Sequence, residues 1–245
     1  MRNIKMIIQY DGSNFKGFQR LKDNDNTIQG KIEDVLSKFT NEKIEIIASG
    51  RTDMGVHALG QVANFKTNSK EPIEKFQKYL YKYLPESIVI ISMEEVNDRF
   101  HSRYNAKSKI YMYKIDNNEY HNPFNRKYTC HINKKLNIEK MKEASKYLIG
   151  EHDFSSFASS KSKKKSHVRT IEYINIEEKD GLIGIYVKGD GFLYNMVRII
   201  VGTLIDAGLS KINPTDVKTM LEAKDRRVSS ETAPAKGLFL FDVQY

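Results

Sequence analysis

What most limits the fold is the order in which strand-type and helix-type hydrophobic periods follow one another along the 245 residues. Asn3–Tyr10 reads as a strand, a polar loop leads to Thr27 as a helix cap, and Ile28, Ile32, Val35, Leu36 and Phe39 then repeat at helical spacing. Ile44–Ser49 and Gln61–Phe65 read as strands. Pro72 opens a helix with Ile73, Phe76, Leu80 and Tyr83 on one face, and Ile88–Met93 returns as strand. A first unit closes near Tyr104 and a second repeats the theme. Lys109–Ile115 alternates as a strand, and a helix over Ile138–Leu148 carries the stripe Ile138, Met141, Ser145 and Leu148. Val168–Glu177 and Leu182–Lys188 form a hairpin through Lys179-Asp180-Gly181, where Asp-Gly supplies the turn. Gly191–Ala207 is predicted to be a helix ended by Gly208, Asn213-Pro214 opens another through Lys224, and Gly237–Gln244 is a closing strand. Two halves, 1–104 and 105–245, that both mix helices with antiparallel-patterned strands predict an α+β fold, with helices on one face of a shared sheet.

Charge narrows the class of partner. Forty Lys and Arg against 31 Asp and Glu leave a net charge of +9, a field that attracts polyanions. One cysteine, Cys130, excludes an internal disulfide, and the N-terminus lacks a signal-peptide core, so the expected location is cytoplasmic. No apolar run approaches the roughly 20 residues needed to span a bilayer, and no membrane partner is expected.

One segment isolates a carboxylate as a chemical group. In Gly50-Arg51-Thr52-Asp53-Met54-Gly55-Val56-His57-Ala58, Asp53 lies between an arginine and a glycine on a loop leaving a strand. Gly50 and Gly55 permit a sharp turn or close approach of a ligand. A neighbouring cation favours the ionised carboxylate, able to act as nucleophile, base or electrostatic partner. Thr-Asp before glycine is also ordinary turn chemistry, and an Asx-turn is the structural alternative. Ser155–Ser166, rich in Lys and Ser, reads as a solvated, mobile loop whose Lys161, Lys163, Lys164 and Lys165 are candidate phosphate contacts.

The Asp53 segment resembles the signature of TruA-type tRNA pseudouridine synthases. The same family order continues in Tyr10-Asp11-Gly12-Ser13 with Gly17-Phe18-Gln19-Arg20, Phe100 to Ala106, Lys109-Ile110-Tyr111-Met112-Tyr113, Gly191 to Arg198, and Thr232 to Leu238. The resemblance implies a pseudouridine synthase fold: two ferredoxin-like halves sharing a mixed, mainly antiparallel sheet with a cleft across it. It implies isomerisation of uridine to pseudouridine in the anticodon stem-loop of tRNA, at positions 38 to 40 of the RNA, by a cytoplasmic homodimer without cofactor. No cofactor motif such as Gly-x-Gly-x-x-Gly occurs.

On this resemblance Asp53 matches the essential aspartate, which attacks the sugar or the base, or assists proton removal. Tyr111 falls on the tyrosine that stacks on the flipped uracil and moves a proton from C5, its structural alternative being a core aromatic. Arg198 aligns with the arginine that pairs with the carboxylate; among apolar helix positions it must find an anion or reach solvent. Arg51 matches the arginine that helps extrude the base, with a phosphate clamp as the alternative. Leu238 lines the uracil pocket or belongs to a core strand. His57 is read as loop structure or RNA contact, Arg103 as a phosphate contact, and Arg20 and Arg169 as further RNA candidates. A metal on Asp11, His57 and His101 is not expected, since no close set supplies three or four ligands.

Tyr81, where Asn is usual before Leu84-Pro85, Ile199, where Asn is usual after Arg198, and the less arginine-rich Lys107–Lys109 depart from the family pattern and bear on substrate choice. Two other functions are distinguishable by experiment: a catalytically weak RNA-binding or RNA-folding factor on the same fold, and a metal-dependent phosphodiesterase using Asp11, Asp53 and His57.

Overall fold

The computed structural model describes residues 1–159 and 166–245. In chain order the elements are β1 (Arg2–Tyr10), α1 (Ile28–Thr40), β2 (Ile47–Ala48), β3 (His57–Thr67), α2 (Ile73–Tyr83), β4 (Ile88–Val96), β5 (Ser108–Asp116), β6 (Cys130–His131), α3 (Ile138–Lys146), β7 (Gly150–Asp153), β8 (Val168–Lys179), β9 (Leu182–Gly189), α4 (Met196–Gly208), α5 (Asp216–Ala223) and β10 (Leu238–Gln244). The α+β class expected from the sequence is borne out, with strand pairs that are mainly antiparallel. Two compact units divide the chain, Met1–Lys107 with Phe239–Tyr245, and Ser108–Leu238.

In the first unit β1 pairs antiparallel with both β4 and β3. The other edge of β3 is shared, β2 lying against Ala63 and Asn64 and β10 running parallel beside His57 and Ala58. β10 comes so close that a Cβ on Gly60 would lie 2.5 Å from the Phe241 carbonyl oxygen. Thr27 caps α1 as its sequence suggests, its hydroxyl accepting the Gly30 N–H at 3.1 Å, and Ile28, Ile32 and Leu36 are buried. In α2, Phe76 and Leu80 form the buried side.

The strand expected over Ile44–Ser49 is only two residues long. Its backbone donors are intercepted by α1: the Ile46 N–H goes to the Glu33 carboxylate at 2.9 Å and the Ile44 N–H to the Ser37 hydroxyl at 3.0 Å. An amide bonded to a helix side chain is lost to a strand ladder.

The second unit orders its strands β5-β9-β8-β7, with β6 parallel to the end of β5. The β8–β9 turn uses Asp180 and Gly181 at φ 53° and 73°, the left-handed pair that a tight two-residue hairpin requires. α4 starts at Met196 rather than at Gly191, because Asn195 sits at φ 61°, outside the helical region. Ser155–Ala158 also departs from expectation. It forms a 3-10 turn with Phe154, Ser156, Phe157 and Ala158 buried, and Ser156 bonds the Asp225 N–H and the Ser229 hydroxyl. Its two aromatics outweigh the serines around them. The lysines at 161 and 163–165 lie outside the described residues. Among the described residues no helix is long and apolar enough to cross a membrane.

Candidate active site

Asp53 stands on the loop between β2 and β3, held from three sides within the first unit. Gly55 turns the loop at φ 78°, and the Val56 N–H closes it on the Asp53 carbonyl at 3.1 Å. From behind, the Thr52 hydroxyl bonds the Tyr10 hydroxyl at 2.7 Å, and both residues are buried. Burial pushes the Tyr10 phenol up, against the opposing pull of its bonds to Thr52 and Gln61. On the second side, Gly17-Phe18 connects α1 to the loop: Phe18 N–H donates to the Thr52 carbonyl, and the Gly17 and Phe18 carbonyls accept the N–H groups of Ile28 and Gln29. A side chain at Gly17 would press on Thr52, Asp53 and Met54, and its φ of 99° suits glycine alone. On the third side, Gly12 packs so tightly that a Cβ there would lie 2.0 Å from the Val56 oxygen.

The strand ends are fixed as well. Gln61 accepts the Ser49 hydroxyl at 2.7 Å and donates to the Gly50 carbonyl at 3.0 Å. His57 is buried and stacks on Phe239 with ring centres 4.7 Å apart. Its Nδ1 lies 3.1 Å from both the Gly12 N–H nitrogen and Asp11 Oδ1. An imidazole bare at Nδ1 accepts the amide; one protonated there donates to Asp11. Asp11 and His57 therefore meet as structure, and among the described residues no three His, Cys, Asp or Glu could together hold a metal ion.

The second unit carries a tyrosine and arginine set. Tyr111, Tyr113 and Ile115 share one face of β5 by alternation, opposite Val187, Ile185 and Ile183 of β9. Phe192 meets Tyr111 edge to face, with centroids 5.1 Å apart. The fully buried Tyr113 donates to the Pro234 carbonyl at 2.8 Å. Burial pushes its phenol up, the Cys130 thiol adds to that, and the charge of Arg198 opposes it. Arg198, in the first turn of α4, gives Nε to the Ala233 carbonyl at 2.7 Å and a terminal nitrogen to Asn195 Oδ1 at 2.9 Å, while its own carbonyl accepts the Ala233 N–H at 3.1 Å. Two glycines admit this segment: a Cβ on Gly202 would meet Glu231, and one on Gly237 would meet the Tyr113 ring. The guanidinium is thus aimed by one backbone carbonyl and the Asn195 side chain.

The tRNA pseudouridine synthase family matches residues 6–105 and 144–245. This chain belongs to that family. It is 54% identical to "tRNA pseudouridine synthase A 2" of Bacillus cereus (strain ZK / E33L), 53% to "tRNA pseudouridine synthase A 1" and 49% to "tRNA pseudouridine synthase A 2" of Clostridium tetani (strain Massachusetts / E88), covering all of this chain and 99 to 100% of each relative. The TruA-type resemblance read from the motif blocks is borne out.

Other pseudouridine synthase motif residues have clear placements. Arg51 is exposed beside Asp53 in sequence. Arg20 is committed to α1, with Nε 2.7 Å from buried Glu33 and a second nitrogen 2.5 Å from Asp34. Arg103 is exposed on a loop anchored by Ser102, whose N–H and hydroxyl both donate to Asn64. Arg169 bonds the carbonyls of Ser166 and Val168 and lines the backbone of Gly191. Leu238 is buried at the start of β10. Lys163 and Lys164 lie outside the described residues. Asp53, Arg51, His57, Arg20 and Arg103 belong to the first unit, and Tyr111, Arg169, Arg198 and Leu238 to the second. Nothing in the sequence signals Tyr10, Thr52 and Gln61 as supports of the loop; only their contacts in the fold do. Tyr113 was signalled only by its place two residues after Tyr111.

Proposed function

We propose that this chain isomerises uridine to pseudouridine in the anticodon stem-loop of tRNA, at positions 38 to 40, with Asp53 as the reacting carboxylate. Membership of the family over both halves, with full-length relatives named for this reaction, carries the reading. The reaction breaks the bond from uracil N1 to the ribose and forms one from C5; the C5 proton departs and N1 gains one, so no oxidant or group donor is consumed. Asp53 acts beside the sugar, and Arg198 is its charge partner. Tyr111 stacks on the detached base and takes part in the C5 proton transfer, with its ring orientation supported by Phe192. Leu238 lines the base, and Arg51 fills the gap left in the stem when the base flips. Holding uracil against the same ribose makes recombination intramolecular. Arg103, Arg169, Lys163 and Lys164 serve RNA binding, while buried His57 and the ion-paired Arg20 support the loop and α1 rather than touching RNA. The net charge of +9 supports a polyanionic substrate, and the working form is a cytoplasmic homodimer.

The deciding experiment incubates the chain and Asp53→Asn with unmodified tRNA transcript in the presence of a chelator, then maps pseudouridine. Product at the anticodon stem-loop with the parent chain and at least a thousandfold less with the variant is expected. No product from the parent chain, or full activity in the variant, overturns the proposal.

A further inference from the structure

The loop between β5 and β6 takes no part in the site above. It begins at Asp116, fully buried, whose carboxylate accepts the Asn122 N–H at 2.9 Å and the Asn118 side-chain amide at 2.9 Å. Asn117 ties the loop to the next segment, donating to the carbonyls of Ile132 and Lys134 and accepting the Leu136 N–H. Lys236 Nζ donates to the Arg126 carbonyl at 3.0 Å. On this well-bonded backbone stand Tyr120, 79% exposed, and Phe124, 88% exposed, the two most exposed large hydrophobic side chains among the described residues.

Rings held in water on a bonded loop offer flat apolar faces at little ordering cost, which suits stacking. Charge identifies the occupant. From Asn117 to Lys135 the exposed ionic residues are Arg126, Lys127, Lys134 and Lys135 against Glu119 alone. A twofold contact between two copies through this patch would set like charges against one another. A polyanion carrying unpaired bases satisfies both features: rings for base faces, cations for phosphates.

We propose that Tyr120 and Phe124 stack on unpaired bases of the tRNA substrate while Arg126, Lys127, Lys134 and Lys135 neutralise its phosphates. This loop is then a second RNA contact, roughly 16 Å along β5 from Tyr111, and it rests on the reading of tRNA as substrate. It sets affinity and choice of tRNA rather than the bond-making step.

Fluorescence anisotropy with an unmodified tRNA transcript tests it on the full chain. Tyr120→Ala/Phe124→Ala should raise Kd about tenfold or more, and KM with it, whereas Tyr120→Phe/Phe124→Tyr keeps the rings and the affinity. Binding of heparin, which has no bases, should not respond to ring loss. Arg126→Ala/Lys127→Ala should reduce the slope of log Kd against log salt by about two. Unchanged tRNA affinity in the Ala pair overturns the inference. So does a change of sedimenting species with tRNA affinity retained, which would assign the loop to contact between copies. Absence of pseudouridine from the parent chain removes the catalytic reading alone, because the Kd series decides the loop without turnover.

Discussion

Behind Asp53 lies a hydroxyl pair whose energetics can be separated from the chemistry. Tyr10 and Thr52 share one short bond in a buried place, with Gln61 as a second neighbour of the phenol. Thr52→Val is nearly isosteric and leaves a buried phenol short of a partner, which should cost about 1 to 3 kcal/mol in urea unfolding. Removing both hydroxyls takes donor and acceptor away together, and Gln61, the phenol's other neighbour, keeps its bonds to Ser49 and Gly50. Tyr10→Phe added to Thr52→Val should therefore cost less than the sum of the single changes. Additive losses in that double-mutant cycle would show that the bond does not couple the two strand ends. Asp53 was marked out at this scale by the run of motif blocks around it rather than by its neighbours, since Thr-Asp before a glycine is equally ordinary turn chemistry. Its supports were not, because Tyr10 and Thr52 are 42 positions apart and only the pairing of β1 with β3 brings them together.

The loop after β5 is the element whose stability should follow acid. Burial alone pushes the Asp116 carboxyl up, but the backbone N–H of Asn122, both donors of Asn118 and the nearby His131 outweigh it and hold the carboxyl below its usual range. A depressed carboxylate contributes stability that is complete above its unfolded value, near about pH 4, and lost as pH falls through the folded one. Asp116→Asn places an amide against donors and should cost roughly 1 to 3 kcal/mol at neutral pH. The gap from the parent chain should narrow below about pH 4, measured as urea midpoints across a pH series; a constant gap would mean that the carboxylate charge is not what anchors the loop. Elements with strong periods, such as α1, α2 and the β8–β9 hairpin, were readable from sequence because their own residues determine them. Where prediction failed, a distant group had intervened. Glu33 and Ser37 took the donors of Ile44–Ile46, the left-handed Asn195 delayed α4, and Phe154 and Phe157 pulled a serine-rich stretch into the core.

At the scale of the molecule, the first unit is completed by the last residues of the chain. Nothing in the pattern of Gly237–Gln244 says which strand it will join, and register between segments so far apart belongs to the fold alone. β10 runs parallel to β3 beside the loop that carries Asp53. It contributes Phe239 stacked on His57, buried Leu240 and Val243, and a C-terminal Tyr245 whose hydroxyl donates to the Ser102 carbonyl at 2.7 Å and whose ring meets Phe100 and the ammonium of Lys5. Burying three such apolar side chains is worth roughly 5 to 8 kcal/mol, comparable to the whole stability of an ordinary domain. Ending the chain at Leu238 should therefore release β1, β3 and β4 to hydrogen exchange and abolish pseudouridine formation with Asp53 still in place. Parent-like protection across those three strands in the shortened chain would show that β10 is an accessory to the first unit rather than the strand that closes it.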